Sequence, residues 1–462
     1  MALFYRLRSV ERAINELTGE YLYFSQPEKL NDPLEQYINL FWNGDEVVWK
    51  SLFRNYFALL YVTLQTSHIG LALDVKDIAA RMKYMDIVSA CPDLVELSSA
   101  AIGDDSVESF IRSIASRTSR IYDDELVFYL DLFRDFALGS IIKFQPENEA
   151  QRQIGESWIA NFKNTWGRLK ANEHFNELNK YATSGSGNEH EHEHVLRLIN
   201  RIVASSNQHF VSMKFMEQPS LQNIFGLSHS YVKEMRALVF PPWSAVSFMG
   251  KCGNPIAWSH YADSHKGVGL IFESEVSGDA NTLRLELPAS YNGKTGHQFK
   301  FIKQKLEMVE YSDKLPDINF FESMGTLPVP KIINYWYSYR GESSPLRSRF
   351  CIEKQDERKE KLWDDFRRAT LTKLTVWKYE HESRIIYDGL FMNLDEIDRK
   401  VRYDWTQLRG VILGMETSAD DKFKIIRLIK EKTTKELKEI ELHQAYFDRD
   451  AGEINYFQLP IM

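Results

Sequence analysis

Val268-Gly269-Leu270-Ile271-Phe272 is an unbroken apolar run with Gly267 before it and Glu273 after it. With apolar side chains on both faces it reads as a strand at the centre of a sheet, where neither face meets water. Just upstream, Asn254-Pro255 opens a helix, with proline where its missing N–H costs nothing. That helix carries Trp258-Ser259-His260-Tyr261-Ala262-Asp263 and ends near Gly267. Further upstream, Ala245-Val246-Ser247-Phe248 is a second strand.

Working outward, the start of the chain has the same texture. Leu3-Phe4-Tyr5-Arg6-Leu7 is a short strand, and Ser9 caps a helix over residues 10–18 with Ile14 and Leu17 on its apolar side and Gly19 as its stop. Tyr21-Leu22-Tyr23-Phe24-Ser25 is another strand. Asn31-Asp32-Pro33-Leu34-Glu35 reads as a helix start in which Asp32 caps and Glu35 closes a capping box. Near the other end, residues 353–368 form a solvated helix and residues 375–387 a helix-to-strand or strand segment. Gly410-Val411-Ile412-Leu413-Gly414 is a buried strand, residues 420–432 a helix, and residues 440–459 a hairpin turning around Asp448 to Gly452.

Between about 45 and 240 apolar residues recur at three- and four-residue spacing, as in 48–60, 126–136 and 195–203, so this stretch is predicted to be mainly helical. Ser184-Gly185-Ser186-Gly187-Asn188 is a flexible break within it, and Trp42, Trp49, Phe53, Tyr56 and Phe57 read as its core. The predicted fold class is α+β. A mixed, twisted sheet domain is built from residues 1–40 and 241–462, and a large helical insertion from residues 41–240.

The chain has 462 residues, long enough for two or three domains. Its net charge of −8 excludes indiscriminate binding of polyanions, though not a local basic surface. Cys91, Cys252 and Cys351 lie far apart, so neither a thiolate zinc site nor a disulfide framework is expected. The start carries no signal-peptide core and no run of eighteen apolar residues occurs, so a cytoplasmic protein without a membrane partner is expected. Walker, GxGxxG, GxSxG and HExxH patterns are absent, which argues against nucleotide-triphosphate hydrolysis, classical dehydrogenation and zinc proteolysis.

The segments Leu3 to Ser9, Leu22 to Ser25 and Asn31 to Glu35 resemble the opening of the bacterial family catalogued as domain of unknown function 2971. Val246-Ser247-Phe248, Ile256 to Gly267, Trp377 to Ile386 and Val411 to Gly414 are similar to its later motifs, in the same order. The resemblance covers about 40 residues at the start and most of 243–447, and nothing carries over to the helical block. The family's order of elements looks like a compact ADP-ribosyltransferase fold, that of the nucleic-acid-modifying DarT toxins included. It implies transfer of ADP-ribose from NAD, as substrate, to a nucleic acid or a protein, in a bacterial toxin or anti-phage defence effector. On that mapping Tyr5 and Arg6 or Arg8 hold the dinucleotide, Ser247 or Tyr261 shapes the nicotinamide pocket, and Glu380 or Glu382 is the catalytic acid. The residue types suit the chemistry: a fixed carboxylate stabilises the cation left on ribose, and a guanidinium grips pyrophosphate. The helical block would recognise the acceptor or a regulatory partner protein.

Simpler readings stand beside these. Glu380, Glu382 and Arg384 share a face if the segment is extended, and Glu382 with Arg384 then makes an ordinary ion pair on a solvated surface. Trp258, Tyr261 and Ala262 share a helical face that is most simply core. His260, with Asp263, is a ligand or proton-transfer candidate at a cleft mouth. Capping explains Asn31 and Asp32. The run Glu189-His190-Glu191-His192-Glu193-His194 reads as a solvated loop rather than a metal site, and Arg168 to His174 as a chance match to a ribonuclease spacing. A non-catalytic sensor or partner-binding module and a nuclease using the same cleft are the alternatives.

Overall fold

The computed structural model describes residues 2–32, 38–68, 92–144, 149–171, 224, 226–294, 296–351, 354–389, 395–436 and 438–460. The chain divides into two compact units. The first combines Met1–Ile38, Pro242–Pro316 and Arg367–Met462, and the second Asn39–Pro241 and Asp317–Phe366. The expected boundaries near 40 and 240 are met within a few residues. Residues 317–366, assigned from sequence to the sheet domain, belong to the helical unit. There Asp317–Asn319 pairs in parallel with Asn39–Phe41, a pairing too distant in sequence to be read locally.

The first unit is built on an eight-stranded mixed sheet, its strands β1–β8 taken in chain order. They are β1 (Leu3–Arg8), β2 (Trp243–Met249), β3 (Val268–Glu273), β4 (Glu307–Met308), β5 (Glu382–Asp388), β6 (Leu408–Leu413), β7 (Glu441–Asp448) and β8 (Glu453–Leu459). The spatial order is β8-β7-β6-β3-β1-β2-β5-β4, which places the opening strand Val268–Glu273 in the interior, as its two apolar faces require. Every neighbouring pair is antiparallel except β6 and β7, joined by the crossover helix Ala419–Glu436.

One face of this sheet carries Phe4, Phe248, Phe272 and Val411 in a core shared with Ala13 and Leu17 of the helix Val10–Gly19. The other holds Leu7, Ile271 and Ile412 against Trp258 and Cys252. The sheet curls around that second face, so that the hydroxyls of Tyr5 on β1 and Tyr456 on β8 meet at 3.0 Å although three strands lie between them. Ser9 caps the first helix as expected, accepting from the Arg12 N–H. The left-handed residue that ends the helix is Glu20 (φ 53°) rather than Gly19. Strand Tyr21–Tyr23 pairs with Lys400–Arg402 outside the large sheet. The helix predicted at Asn31 to Glu35 lies outside the described residues from position 33 onward, and Asp32 is buried.

The second unit is helical as predicted: Glu46–His68, Pro92–Ile102, Asp105–Ala115, Asp123–Phe144, Glu149–Ala171 and Leu227–Met235. Its interior is aromatic. Phe53 packs on Phe133 at 5.0 Å and Phe110 on Trp166 at 5.2 Å, with Trp42, Trp49, Tyr56 and Phe57 fully buried. Helices Asp123–Phe144 and Glu149–Ala171 cross where Gly139 faces Gly155; a Cβ on Gly139 would sit 2.6 Å from the Gly155 carbonyl oxygen. Residues 184–203, with the Glu/His run, lie outside the described residues, as does His174.

Candidate functional site

In the helix Pro255–Tyr261, the Asn254 side chain accepts from the Ile256 and Ala257 N–H groups, and Pro255 occupies the first turn. Trp258 anchors the helix, donating its indole N–H to the Cys252 carbonyl at 2.7 Å. This anchor leaves Tyr261 half-buried on the last turn. After Ala262 the chain runs through three consecutive left-handed residues, Asp263, Ser264 and His265 (φ 48°, 54° and 67°), each costing about 1 kcal/mol or more. Gly267 then passes so close to β1 that a Cβ would lie 2.1 Å from the Arg8 carbonyl oxygen, so only glycine fits.

The segment that answers Tyr261 is the 3-10 turn Thr375–Glu380, which His381 ends in the left-handed conformation (φ 45°) before β5 begins at Glu382. Glu380 and Glu382 were expected to share a face through strand alternation. They do converge, but the cause is the reversal at His381, because Glu380 is not in the strand. Tyr261 donates its hydroxyl to Glu380 Oε1 at 2.5 Å. Lys373 Nζ donates to Glu380 Oε2 at 2.6 Å and to Glu382 Oε2 at 3.1 Å. Arg384 grips Glu382 with two bonds, Nε to Oε1 at 2.7 Å and Nη2 to Oε2 at 3.0 Å, and spends Nη1 on the Thr370 carbonyl. The Glu382 N–H donates to the Tyr311 hydroxyl at 2.8 Å, and the Ser247 hydroxyl bonds the same carboxylate.

This group is sealed from water. Lys373, Glu380, Glu382 and Arg384 expose between 1% and 5% of their surface. The sequence reading of Glu382 with Arg384 as a surface ion pair is therefore corrected: the pair exists, but inside the protein. Two cations meet two anions, so neither carboxylate is left as an uncompensated buried charge.

The two glutamates are not equivalent. Burial alone would raise the pKa of Glu382, but the charges of Arg384 and Lys373 hold it well below the carboxylate range. Burial pushes Glu380 upward, and the neighbouring Glu382 charge adds to the rise against the pull of Lys373. Burial, then the Glu380 charge, also raises Tyr261, which keeps it a proton donor. The ionised form is therefore favoured more strongly at Glu382 than at Glu380.

Above Glu380 lies a rim of rings. His260 is exposed and within hydrogen-bond distance of the Tyr379 hydroxyl, Nδ1 to Oη 3.2 Å. Its ring centroid lies 6.2 Å from Trp377, 6.4 Å from Tyr379 and 6.3 Å from Tyr261. Trp377 and Tyr379 are half-buried, and the Lys373 ammonium sits 4.8 Å from the Trp377 ring centre. Tyr379 is pushed up to about 12 by burial and by Glu380.

Of the residues picked from sequence, Ser247, Tyr261, His260, Glu380 and Glu382 come together. Arg6 and Arg8 do not. Tyr5 pairs with Met249 and Met249 with Glu382, so Tyr5 is on the carboxylate face while Arg6 and Arg8 alternate to the other. There Glu16 accepts from Arg6 at 3.3 Å and from Arg8 at 3.0 Å. Tyr5 is bonded to Tyr456. Asp263 lines a separate groove of about 440 Å³ with Lys266, Glu11 and Glu416, apart from His260.

Lys373 and Tyr311 were not found from sequence. No local motif marks them; they enter through the parallel pairing of Glu310–Ser312 with Thr372–Leu374, which sets Tyr311 beside Lys373. The alternation Trp377-Lys378-Tyr379 did carry a signal for the rim. Among the described residues no group of three or more His, Cys, Asp or Glu side chains could hold a metal ion, and no helix is long and apolar enough to cross a membrane. The chain matches no known family model, no curated protein and no solved structure.

Proposed function

We propose that the first unit transfers ADP-ribose from NAD to a macromolecular acceptor, with Glu380 as its catalytic carboxylate. The supporting observation is the Glu380 carboxylate fixed by Tyr261 and Lys373 at the base of the His260, Trp377 and Tyr379 rim. A planar ring such as nicotinamide suits a rim of half-exposed aromatic faces. In the reaction the nicotinamide–ribose bond breaks, its electron pair leaves with the nicotinamide, and the acceptor's nucleophile forms the new bond to ribose. Ionised Glu380 stabilises the positive charge that builds on the ribose and takes the proton the nucleophile gives up. Lys373 and Tyr261 position that carboxylate, and Glu382 with Arg384 holds Lys373 in place. Dinucleotide anchoring by Arg6 or Arg8 is not part of the proposal, because both are engaged by Glu16 on the opposite face of the sheet. An ADP-ribosyltransferase-like fold and a toxin or defence role accompany this reading.

A second reading is supported by the depth of the cluster. With Glu380 only 2% exposed and already paired, the group also suits a scaffold beneath a binding surface formed by the rim. Incubation of the pure protein with labelled NAD and a cell lysate separates the two. Nicotinamide release and label on nucleic acid or protein, lost in Glu380→Gln, support the transferase. Absence of both with the intact, folded protein supports the binding module.

A further inference from the structure

Residues Ala280–Asn292 and Gly296–Lys305 form a long antiparallel hairpin in the first unit. At its base one face is core: Leu283 and Leu285 are buried, and Leu287 packs against the same cluster. The opposite face is unlike it. Register places Phe301 across from Glu286 and Phe299 across from Pro288. Beyond a bulge at Ala289, it sets His297 across from Tyr291. Tyr291, Phe299 and Phe301 expose 70%, 51% and 45% of their surface. The Tyr291 and His297 rings are 5.0 Å apart and tilted by 61°, and those of His297 and Phe299 are 6.5 Å apart and tilted by 64°, so ring faces stay open.

Charge accompanies the rings. Residues 289–305 hold Lys294, Lys300, Lys303 and Lys305 and no Asp or Glu, in a chain whose net charge is −8. Lys303 and Lys305 share the ring face, where Arg284 and Glu286 stand opposite, and Lys300 alternates to the Leu287 side. Lys303 and Lys305 lean on Glu275 and Glu307 outside the segment, while remaining half-exposed or more. Aromatic rings in a row would be expected to sink into a core, yet the ribbon holds them in water.

We propose that this ribbon binds single-stranded nucleic acid, stacking unpaired bases on Tyr291, His297, Phe299 and Phe301 while the lysines meet phosphates. A base pair in a duplex hides the ring faces that these side chains would use, so the single strand is the occupant. A second copy of the chain would bring like charges face to face. The binding does not involve Glu380. That the bound strand is the acceptor rests on the transferase reading, and it then selects nucleic acid over protein.

The test is fluorescence anisotropy with labelled 12-nucleotide single-stranded DNA and RNA and the matching duplex. Wild-type protein and Glu380→Gln should bind a single strand equally and the duplex more weakly. Phe299→Ala with Phe301→Ala should weaken binding by about tenfold or more. Lys303→Gln, on the same face as Phe299 and Phe301, should lower the slope of log affinity against log salt by about 0.7. No binding of either single strand at low salt, or binding untouched by the aromatic double variant with its circular dichroism unchanged, overturns the proposal. So does a change in oligomeric state by sedimentation in place of a change in oligonucleotide binding. Binding without any transfer of label keeps the ribbon proposal and removes the transferase reading; transfer without binding does the reverse.

Discussion

The two faces of the large sheet each bury arginine against glutamate, and they have been put to different uses. On one face Arg6 and Arg8 share Glu16 beneath the helix Val10–Gly19. Every member of that group sits on contiguous chain, and a capped helix closes over it. On the other face Arg384 and Lys373 share Glu380 and Glu382, drawn from segments on both sides of a left-handed break, and Tyr261 reaches in from a different element. That group ends in a rim of half-exposed rings rather than a helix. A buried ion group under a complete cover can only hold the fold. Burial raises the carboxyl pKa of Glu16 as it does that of Glu380, so what sets the second group apart is the aromatic side chains beside it rather than the direction of its pKa.

Substitutions that break each group should separate these uses. The largest loss is expected for Glu382→Ala, which takes from Arg384 its carboxylate and leaves Lys373 only Glu380 as counter-charge. Urea denaturation should report about 3–5 kcal/mol, and Glu16→Ala a comparable loss on the other face. Equal stability loss with unequal loss of NAD turnover would sharpen the contrast between the faces.

Next in size is Glu380→Gln, which keeps an acceptor for the Tyr261 hydroxyl. It should lower ADP-ribosyl transfer by about 10²–10³-fold while changing stability by about 1.5 kcal/mol or less. If transfer persisted at wild-type rate, the two faces would be equally structural.

Tyr261→Phe removes one hydrogen bond and should cost about 1–2 kcal/mol. It should also move the acid limb of the pH–rate profile upward, because the lost bond held Glu380 down. That limb should itself lie above the ordinary glutamate pKa in the wild type, since ionised Glu380 is the active form.

The pH dependence of stability gives a further contrast. Glu382 is depressed in the folded state, so its contribution is present above the unfolded value near 4.5 and is lost as pH falls toward the folded one. Glu380 has the opposite sign: its raised pKa makes the folded state weaker as pH rises past the unfolded value. Melting temperatures between pH 3 and 6 should therefore fall less steeply toward acid in Glu382→Gln than in the wild type. The smallest change is expected for exposed His260→Ala, within about 0.5 kcal/mol of wild-type stability, although it removes one ring of the rim.

Much of the fold was legible because it is written in short range. Capping at Ser9 and Asn254, the proline at 255, the doubly apolar Val268–Glu273 and the helical spacing of 48–60 each announce an element from a few neighbouring residues. The site was legible only in part. Tyr261, Glu380 and Glu382 could be named as types suited to the chemistry, but not ranked. Lys373 and Tyr311 could not be named at all. Arg6 and Arg8 were drawn to the site by resemblance, and strand alternation sends them to the far face.

What the sequence determined by itself is part of the list of elements, because local sterics, capping and hydrophobic period act over one or two turns of chain; the hairpin of Ala280–Asn292 and Gly296–Lys305 was not on it. Only the tertiary structure decided the rest: which of two neighbouring glutamates is held more firmly as an anion, that a surface-looking pair is buried, and that residues 317–366 join the helical unit. Those outcomes depend on which distant segment supplies the counter-charge and the cover. A parallel pairing such as Glu310–Ser312 with Thr372–Leu374 is fixed by the packing of the whole unit, and no residue in either segment announces it.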